Sequence, residues 1–600
     1  MSTAILTGPP VAGSPLEGDL RTLGFDVRTA NDPASVAELI AAVPAQERVA
    51  VVDPRFVGHP HALRLALTDP RFPAAAVQGA LTVRPEARAA LVRAAGRIPV
   101  GAGTAHLTDV LTGTLTEALD REDIGLHHVE LGSLVATVAL TPAQRESARE
   151  AVAAVDDEAV RLRTAVKSRD GFFTTFCISP YSRYLARWCA RRGLTPNQVT
   201  TASLFTALIA AGCAATGSRG GFVAAGFLLL FSFVLDCTDG QLARYSLQYS
   251  TMGAWLDATF DRAKEYAYYA GLALGAARAG DDVWALALGA MVLQTVRHIV
   301  DFSFNEANHD ASGNTSPTAA LSDKLDSVGW TVWVRRMIVL PIGERWAMIA
   351  VLTALTTPRI VFYALLIGCA LAACYTTAGR VLRSLTRRAR RTDRAAQALA
   401  DLADSGPLAE LGAKGPAARG RMTALLMALA GVAFLMAQLT WQQGGSWWPV
   451  LGAAVYAAFS GAAVARSLKG PLDWLVPPLF RVGEYVTILV LAARSDAHGA
   501  LPAAFGLVAA VAYHHYDTVY RIRGGTGAPP RWLVRATGGH EGRVLAVTVL
   551  AVALPPTGFT IALTALAVAL ALLVLVESIH FWVTAHKRGA PAVHDEGETA

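Results

Sequence analysis

From residue 199 onward the chain is a succession of apolar runs, each close to the roughly 20 residues that a helix needs to cross a bilayer. They lie near 199–216, 221–236, 251–276, 283–301, 337–356 and 359–379, and again near 423–441, 447–465, 474–493, 501–520, 544–557 and 559–582. In hydrocarbon every backbone N–H and C=O must be satisfied within the protein, so runs of this length fold as helices. Composition agrees: 53% of the 600 residues are hydrophobic and only 17% charged, too apolar for an ordinary soluble protein. The expected fold is a multi-span α-helical membrane protein with about 12 transmembrane helices behind an N-terminal soluble α/β domain. The net charge of +6 then points to basic loops on the inner side of a membrane, with no nucleic acid partner. The tract RVLRSLTRRARRTDR, residues 380–394, is the densest of these. No cleavable leader is read in MSTAILTGPP, which lacks a basic start and a long apolar core. Counting crossings from a cytoplasmic N-terminal domain places the turn 236–250, the loop after 301 and the arginine tract on the cytoplasmic side.

Polar chemistry concentrates in DCTDGQLARYSLQYSTMGAWLDATFD, residues 236–261. Asp236 and Asp239 are three apart and Asp257 and Asp261 four apart, so on helices each pair shares one face. Four carboxylates beside a hydrocarbon boundary are costly unless neutralised. Hard oxygen ligands suit Mg²⁺ or Mn²⁺, and four of them make room for two ions, the clamp used for in-line attack at phosphorus. Gly240 and Gly253 remove side chains where a bulky substrate approaches the backbone. Arg244, one turn beyond Gly240, carries the donor fork that grips a phosphate. The alternative is a helix hairpin whose carboxylates are paired with lysines.

The stretch satisfies D-x2-D-G-x2-A-R-x8-G-x3-D-x3-D at all eight fixed positions, and in this it closely resembles the CDP-alcohol phosphotransferase (CDP-alcohol phosphatidyltransferase) family. The resemblance implies that the first six spans, within 199–379, form that family's membrane fold. It implies transfer of a phosphatidyl-type group from CDP-diacylglycerol or a similar CDP-lipid to a small acceptor alcohol, with release of CMP. Asp236, Asp239, Asp257 and Asp261 are then the metal ligands and Asp261 also the general base. Gly240, Ala243, Arg244 and Gly253 shape the nucleotide pocket. The phrases DGFF and LTPNQVT resemble the approach to the first span in inositol-phosphate-type members, which brings Pro196 and Asn197 to the CDP site, with Lys167 and Asp170 as further candidates. The plainer reading of Thr195-Pro196-Asn197 is a helix start with proline in the first turn. Arg335, Arg336 and Arg345, the last closing the phrase IGER, open the fifth span. They suit an anionic acceptor such as an inositol phosphate or another polyol phosphate, or else interfacial snorkelling.

Residues 1–150 alternate short apolar runs (4–6, 48–53, 134–140) with alanine-rich helical segments (35–42, 61–67), the pattern of an α/β layer with a parallel sheet. In position this unit resembles the sugar nucleotidyltransferases fused ahead of some inositol-lipid relatives. The opening AILTGPPVAGSP departs from that pattern: it has no early basic residue, the first being Arg21, and three prolines stiffen it. Asp53 in VVDP is either a metal-binding aspartate or an ordinary strand end. The unit reads as a degenerate, non-catalytic relative. Residues 151–198 supply a connecting helix and then an amphipathic juxtamembrane helix, in which Tyr181, Arg183, Tyr184, Arg187 and Trp188 interleave aromatics with cations at headgroup depth.

Residues 380–421 are a basic cytoplasmic linker, 422–585 a second six-span membrane domain and 586–600 a polar tail. WLDATFDRAKEY (255–266) aligns without gaps to WLVPPLFRVGEY (474–485), keeping Trp, Leu, Arg, Glu and Tyr but replacing Asp257 by Val476 and Asp261 by Phe480. Asp517 is a rough counterpart of Asp301, and Ala465-Arg466 of Ala243-Arg244. The second domain is therefore either a decayed copy of the first or a chance likeness between membrane helices. YHHYD, 513–517, reads as packing, because adjacent histidines face different sides of a helix. The six cysteines contain no CxxC pair and read as reduced packing residues. A transporter and a non-catalytic membrane scaffold or regulator are the rival function classes, and a homodimer stays open.

Overall fold

Every one of the twelve apolar runs is a helix. The computed structural model describes residues 2–587 apart from 31–32, 45–46, 70–71, 98–110, 123–125, 168–169, 309–336, 387–390, 415–421, 442–445 and 496. The juxtamembrane segment gives α1 (Ser179–Arg191). The first membrane half follows as α2 (Pro196–Ala215), α3 (Arg219–Ser246), α4 (Thr251–Arg278), α5 (Trp284–Asn308), α6 (Ile342–Leu355) and α7 (Pro358–Thr386). A six-residue helix, α8 (Pro407–Gly412), precedes the second half: α9 (Thr423–Trp441), α10 (Trp448–Val464), α11 (Val476–Arg494), α12 (Ala500–Arg523), α13 (Gly539–Ala553) and α14 (Pro556–Lys587).

Among the described residues, seven helices are long and apolar enough to cross a membrane: Pro196–Ala215, Arg219–Ser246, Trp284–Asn308, Pro358–Thr386, Thr423–Thr440, Asp473–Arg494 and Pro556–His586. The other five fall short for two reasons. α6, α10 and α13 are 14, 17 and 15 residues long. α4 and α12 are long but carry charges, and in α4 Arg262, Lys264 and Glu265 are all buried inside the protein. Charges turned inward toward partners lower the hydropathy of a helix without exposing it to lipid.

Local chemistry sets the helix starts. Thr195 caps α2 in a capping box with Gln198, and Pro196 occupies its first turn. Ser250 caps α4 by accepting from the Gly253 N–H at 2.9 Å. Several span boundaries need correction: the fifth helix of the first half starts only at Ile342, the run expected over 544–557 is the helix Gly539–Ala553, and the run expected to end at 236 continues as helix to Ser246. Its last turns pack on α1, where Gln241 accepts from Ser182 at 2.8 Å, so the polar residues after 236 stay helical because a neighbouring helix satisfies them. The two halves share one hydrophobic core that runs from Ile178 to Leu570.

The N-terminal α/β unit contains β1 (Ser2–Leu6), β2 (Phe25–Thr29), β3 (Arg48–Val52), β4 (Phe56–Gly58), β5 (Ala74–Val77), β6 (Ala80–Val83), β7 (Leu126–His128) and β8 (Ala136–Val138). Its six-stranded sheet has the order β2-β1-β3-β6-β5-β7. The sheet is mixed, not purely parallel: β6 runs antiparallel to both β3 and β5. The link between β5 and β6 is only Gln78-Gly79, and a two-residue link joins antiparallel strands alone. The strand expected over 134–140 shortens to β8, which pairs with β4 outside the main sheet. Asp53 closes the turn after β3: its carboxylate accepts from the Arg55 backbone N–H at 2.8 Å and pairs with the Arg55 guanidinium at 2.7 Å. That arrangement matches the strand-end reading.

His61 is 2% exposed and neither ring nitrogen has a hydrogen-bond partner. Burial, reinforced by the Arg161 guanidinium, pushes its pKa down to about 4. The unfolded chain therefore binds the extra proton first, and the unit loses stability as pH falls from about 6.5 towards 4. The full shift corresponds to about 3 kcal/mol. Amide hydrogen exchange across 60–68 in the intact protein is expected to quicken over that window, and His61→Leu to flatten the dependence.

Candidate active site

α3 and α4 are joined by a short link, residues 247–250, and both pack along α2. This brings the end of one sequence motif against the start of the other. Asp236 from α3 and Asp257 and Asp261 from α4 each present a carboxylate oxygen within 4.8 Å of the others. Asp257 is exposed and the other two are partly buried, so the group opens to one side. Asp239 lies outside that trio. It is 4% exposed, and its Oδ2 is buried without a hydrogen-bond partner.

One cation already sits among them. Lys264, 1% exposed, pairs with Asp236 and, at 2.9 Å, with Asp261, and donates to Ser203 Oγ at 3.2 Å. A single ammonium against four carboxylates leaves the cluster strongly negative. The converging oxygens of the trio and the orphaned Asp239 oxygen both fit a hard divalent cation. The lysine pairing read from the sequence is present, and the carboxylates that converge beside it are of the kind that suits a cation.

The nucleotide-pocket candidates gather around this cluster. A Cβ on Gly253 would stand 2.7 Å from Asn197 Oδ1 and 2.9 Å from Ser250 Oγ, so the absence of a side chain lets the start of α2 close on the start of α4. Pro196 and Asn197 therefore both begin a helix and border the motif. The Arg244 guanidinium lies over Gly240, about where a Cβ would come within 3.4 Å of Nη1, and its Nε donates to Ala165 O at 2.6 Å. The Ala243 carbonyl accepts from Gln248 N and closes the end of α3. Asp170 accepts from the Gly171 N–H at 2.7 Å, and Lys167 ends the connecting segment.

Arg335 and Arg336 lie outside the described residues. Arg345 is turned inward: it is 2% exposed and faces Glu265, with Nε 3.2 Å from Oε1. Its guanidinium is committed to a buried partner on α4 and is not presented to an acceptor. Glu265 also takes Arg262 at 2.8 Å and the Tyr269 hydroxyl at 2.7 Å. Sequence reasoning passed over both Lys264 and Glu265. The signal was available, since Lys264 is three residues from Asp261 and Glu265 three from Arg262, each pair sharing a helix face.

Residues 193–372 match the family described as CDP-alcohol phosphatidyltransferase. The chain carries a CDP-alcohol phosphatidyltransferase domain. That domain contains all four aspartates, Gly240, Ala243, Arg244, Gly253, Pro196 and Asn197. Proteins similar to this chain include a phosphatidylinositol phosphate synthase from Streptomyces avermitilis, 33% identical over 130 residues, 20% of this chain and 51% of that protein. An archaetidylinositol phosphate synthase from Pyrococcus horikoshii is 29% identical over 113 residues, 19% of this chain and 58% of the relative. A bifunctional IPC transferase and DIPP synthase from Rubrobacter xylanophilus is 40% identical over 83 residues, 14% of this chain and 18% of the relative. The chain thus spans little more than half the length of the first two and less of the third. Residues 393–600, beyond the CDP-alcohol phosphatidyltransferase domain, match a family of unknown function (DUF5941).

Proposed function

We propose that this protein is a membrane phosphotransferase that moves a phosphatidyl or related phospho-group from CDP-diacylglycerol or a similar CDP-lipid to a polyol or inositol phosphate, releasing CMP. The observation that carries the reading is the convergence of Asp236, Asp257 and Asp261 on one open-sided cluster inside the matched domain. The names of the relatives support the choice of an inositol phosphate acceptor.

Asp236, Asp239, Asp257 and Asp261 would hold Mg²⁺ or Mn²⁺, in one or two ions. When bound, such ions neutralise the donor diphosphate and the charge that develops on the departing CMP. The rest of the task falls to the chain. Asn197 and Arg244, gathered over Gly253 and Gly240, orient the cytidine diphosphate. Asp261 accepts the proton of the acceptor hydroxyl as its oxygen bonds to the lipid-side phosphorus and the bond from that phosphorus to CMP breaks. Lys264 holds the Asp261 and Asp236 carboxylates together between α4 and α3. Arg335 and Arg336 remain the acceptor candidates. The twelve helices act as twelve spans, the short and charged ones sheltered among the others. The cluster then lies at the same membrane side as the arginine tract after α7, the cytoplasmic side by the positive-inside rule. Arg64 of the N-terminal unit, which donates to Ser246 O at the end of α3, agrees with that placement.

Purified protein with CDP-diacylglycerol and Mg²⁺ or Mn²⁺ is expected to release CMP only when the right acceptor from a panel of alcohols and polyol phosphates is present, and Asp257→Ala to abolish it. Absence of release with every donor and acceptor overturns the reading. Gly253→Ala tests the pocket separately: the new methyl must displace Asn197 and Ser250, and KM for the donor is expected to rise about tenfold, a loss of about 1.4 kcal/mol.

A further inference from the structure

The weak likeness between 255–266 and 474–485 acquires physical content in three dimensions. On α4, Arg262 pairs with Glu265, and Arg345 at the start of α6 reaches across to that glutamate. On α11, Arg481 pairs with Glu484 at 2.7 Å, and Arg543 at the start of α13 reaches across to it at 2.5 Å. The displacement that carries Arg345 onto Arg543 also carries Pro358, which opens α7, onto Pro556, which opens α14. Continued without a gap, it carries Arg380 onto Ser578 and Ser384 onto Trp582. Each pair does corresponding work. Asp301 on α5 pairs with Arg380 on α7, and Asp517 on α12 accepts from Ser578 on α14 at 2.7 Å.

Helix packing repeats as well. α2 packs on α3, α3 on α6 and α5 on α7; in the second half α9 packs on α10, α10 on α13 and α12 on α14. The short helix before each half, α1 or α8, lies on its second membrane helix, α3 or α10.

Contacts between the halves are reciprocal. Trp255 on α4 stacks on Trp582 of α14 at 6.3 Å. Its counterpart Trp474, just ahead of α11, donates to Ser384 of α7 at 2.9 Å, and Ser384 is the counterpart of Trp582. Likewise α4 packs on α12 while α11 packs on α5. Exchange of this kind is the signature of a two-fold, isologous interface, here formed within one chain.

The second half has closed the place where the cage would stand. Aligning Ala465-Arg466 with Ala243-Arg244 puts Ala458 and Gly461 opposite Asp236 and Asp239. A Cβ on Gly461 would meet Ala409 O at 2.6 Å and Gly412 Cα at 2.7 Å, so α8 lies directly on the backbone of α10. Phe480, opposite Asp261, stacks on His540 at 4.2 Å.

We infer that residues 423–587 are a second copy of the fold of 196–386, stripped of its carboxylates, which serves as the built-in partner of the first half in place of a second chain. The inference rests on the proposed function only in regarding the first half as the catalytic one. The copy touches the site's own helix: the Tyr516 hydroxyl bonds His298 Nδ1, and its ring lies 5.4 Å from the guanidinium carbon of Arg262, the neighbour of Asp261.

Native mass measurement of the wild-type chain in nanodiscs is expected to give one chain per particle, and titration with CDP and Mn²⁺ at most one nucleotide per chain, abolished by Asp257→Ala. Cysteine pairs at 255 with 582 and at 474 with 384, in a background without native cysteines, are expected to be bridged within one chain by a short bis-maleimide. Two chains per particle, a second CDP site, or failure of either pair to bridge in folded protein overturns the inference. One CDP bound per single chain with no CMP release from any acceptor defeats the proposed reaction and leaves the inference standing.

Discussion

Asp261→Asn is expected to lower phosphoryl transfer by about 10³-fold while changing CDP-lipid affinity by less than a few-fold. General base catalysis by a positioned carboxylate contributes about 10²–10⁴ in rate, and an amide of the same shape cannot take the proton. The substitution leaves its surroundings in place: Arg262 keeps Glu265, and Lys264 keeps Asp236. The donor-side candidates, Asn197 against Gly253 and Arg244 over Gly240, are untouched. Single-turnover CMP release measured beside CDP binding separates the two effects. Binding that falls as far as the rate would make Asp261 a donor ligand only and remove it from the base role. Asp257→Ala has the opposite profile, since Asp257 has no place in proton transfer and its loss should appear first in metal-dependent CDP binding.

What was legible in the sequence divides along physical lines. Helices were readable because hydrocarbon permits so few alternatives, and all twelve runs are helical. Their lengths were less so, because a polar stretch such as 237–246 ends a helix or continues it according to what packs beside it, here α1. The spacing of Asp236, Asp257 and Asp261 was compatible with the cluster they form, whereas the place of Asp239 outside that trio was not legible. Lys264 and Glu265 were legible only through their same-face partners Asp261 and Arg262; their partners on other helices, Asp236 and Ser203 for the lysine and Arg345 for the glutamate, were not, and neither was the inward turn of Arg345. Arginine at a helix start has the same sequence appearance whether it snorkels, binds an acceptor or reaches across to a buried glutamate. The decayed copy shows the same limit in reverse. Five identities in 474–485 carried little weight as letters, and gained it when Arg481, Glu484 and Arg543 repeated the geometry of Arg262, Glu265 and Arg345. In the N-terminal unit, Asp53 was ambiguous until Arg55 was seen to close on its carboxylate.

Lys264→Met should destabilise the protein by about 3–5 kcal/mol in the presence of a chelator, the cost of removing one partner from a buried ion pair. Lys264 Nζ is the cation that Asp236 and Asp261 face, and methionine fills a similar volume with no charge. The two carboxylates then repel each other and Asp257, whose oxygens lie in the same 4.8 Å cluster. A divalent cation bound by those oxygens supplies the missing positive charge, and a ligand that binds only the folded state stabilises it by mass action. The deficit of the variant should therefore shrink on adding Mn²⁺ or Mg²⁺, and the variant should gain more from the ion than the wild type does. Thermal unfolding of both proteins in nanodiscs, with chelator and across a metal titration, reads this directly. A deficit that the ions leave unchanged would mean that the carboxylates are held by the lysine for structure and bind no cation, and the same result would take the metal out of the proposed reaction. A deficit that closes with the ion makes Lys264 the internal counter-ion of an acidic cage, holding the carboxylates together when no metal is bound.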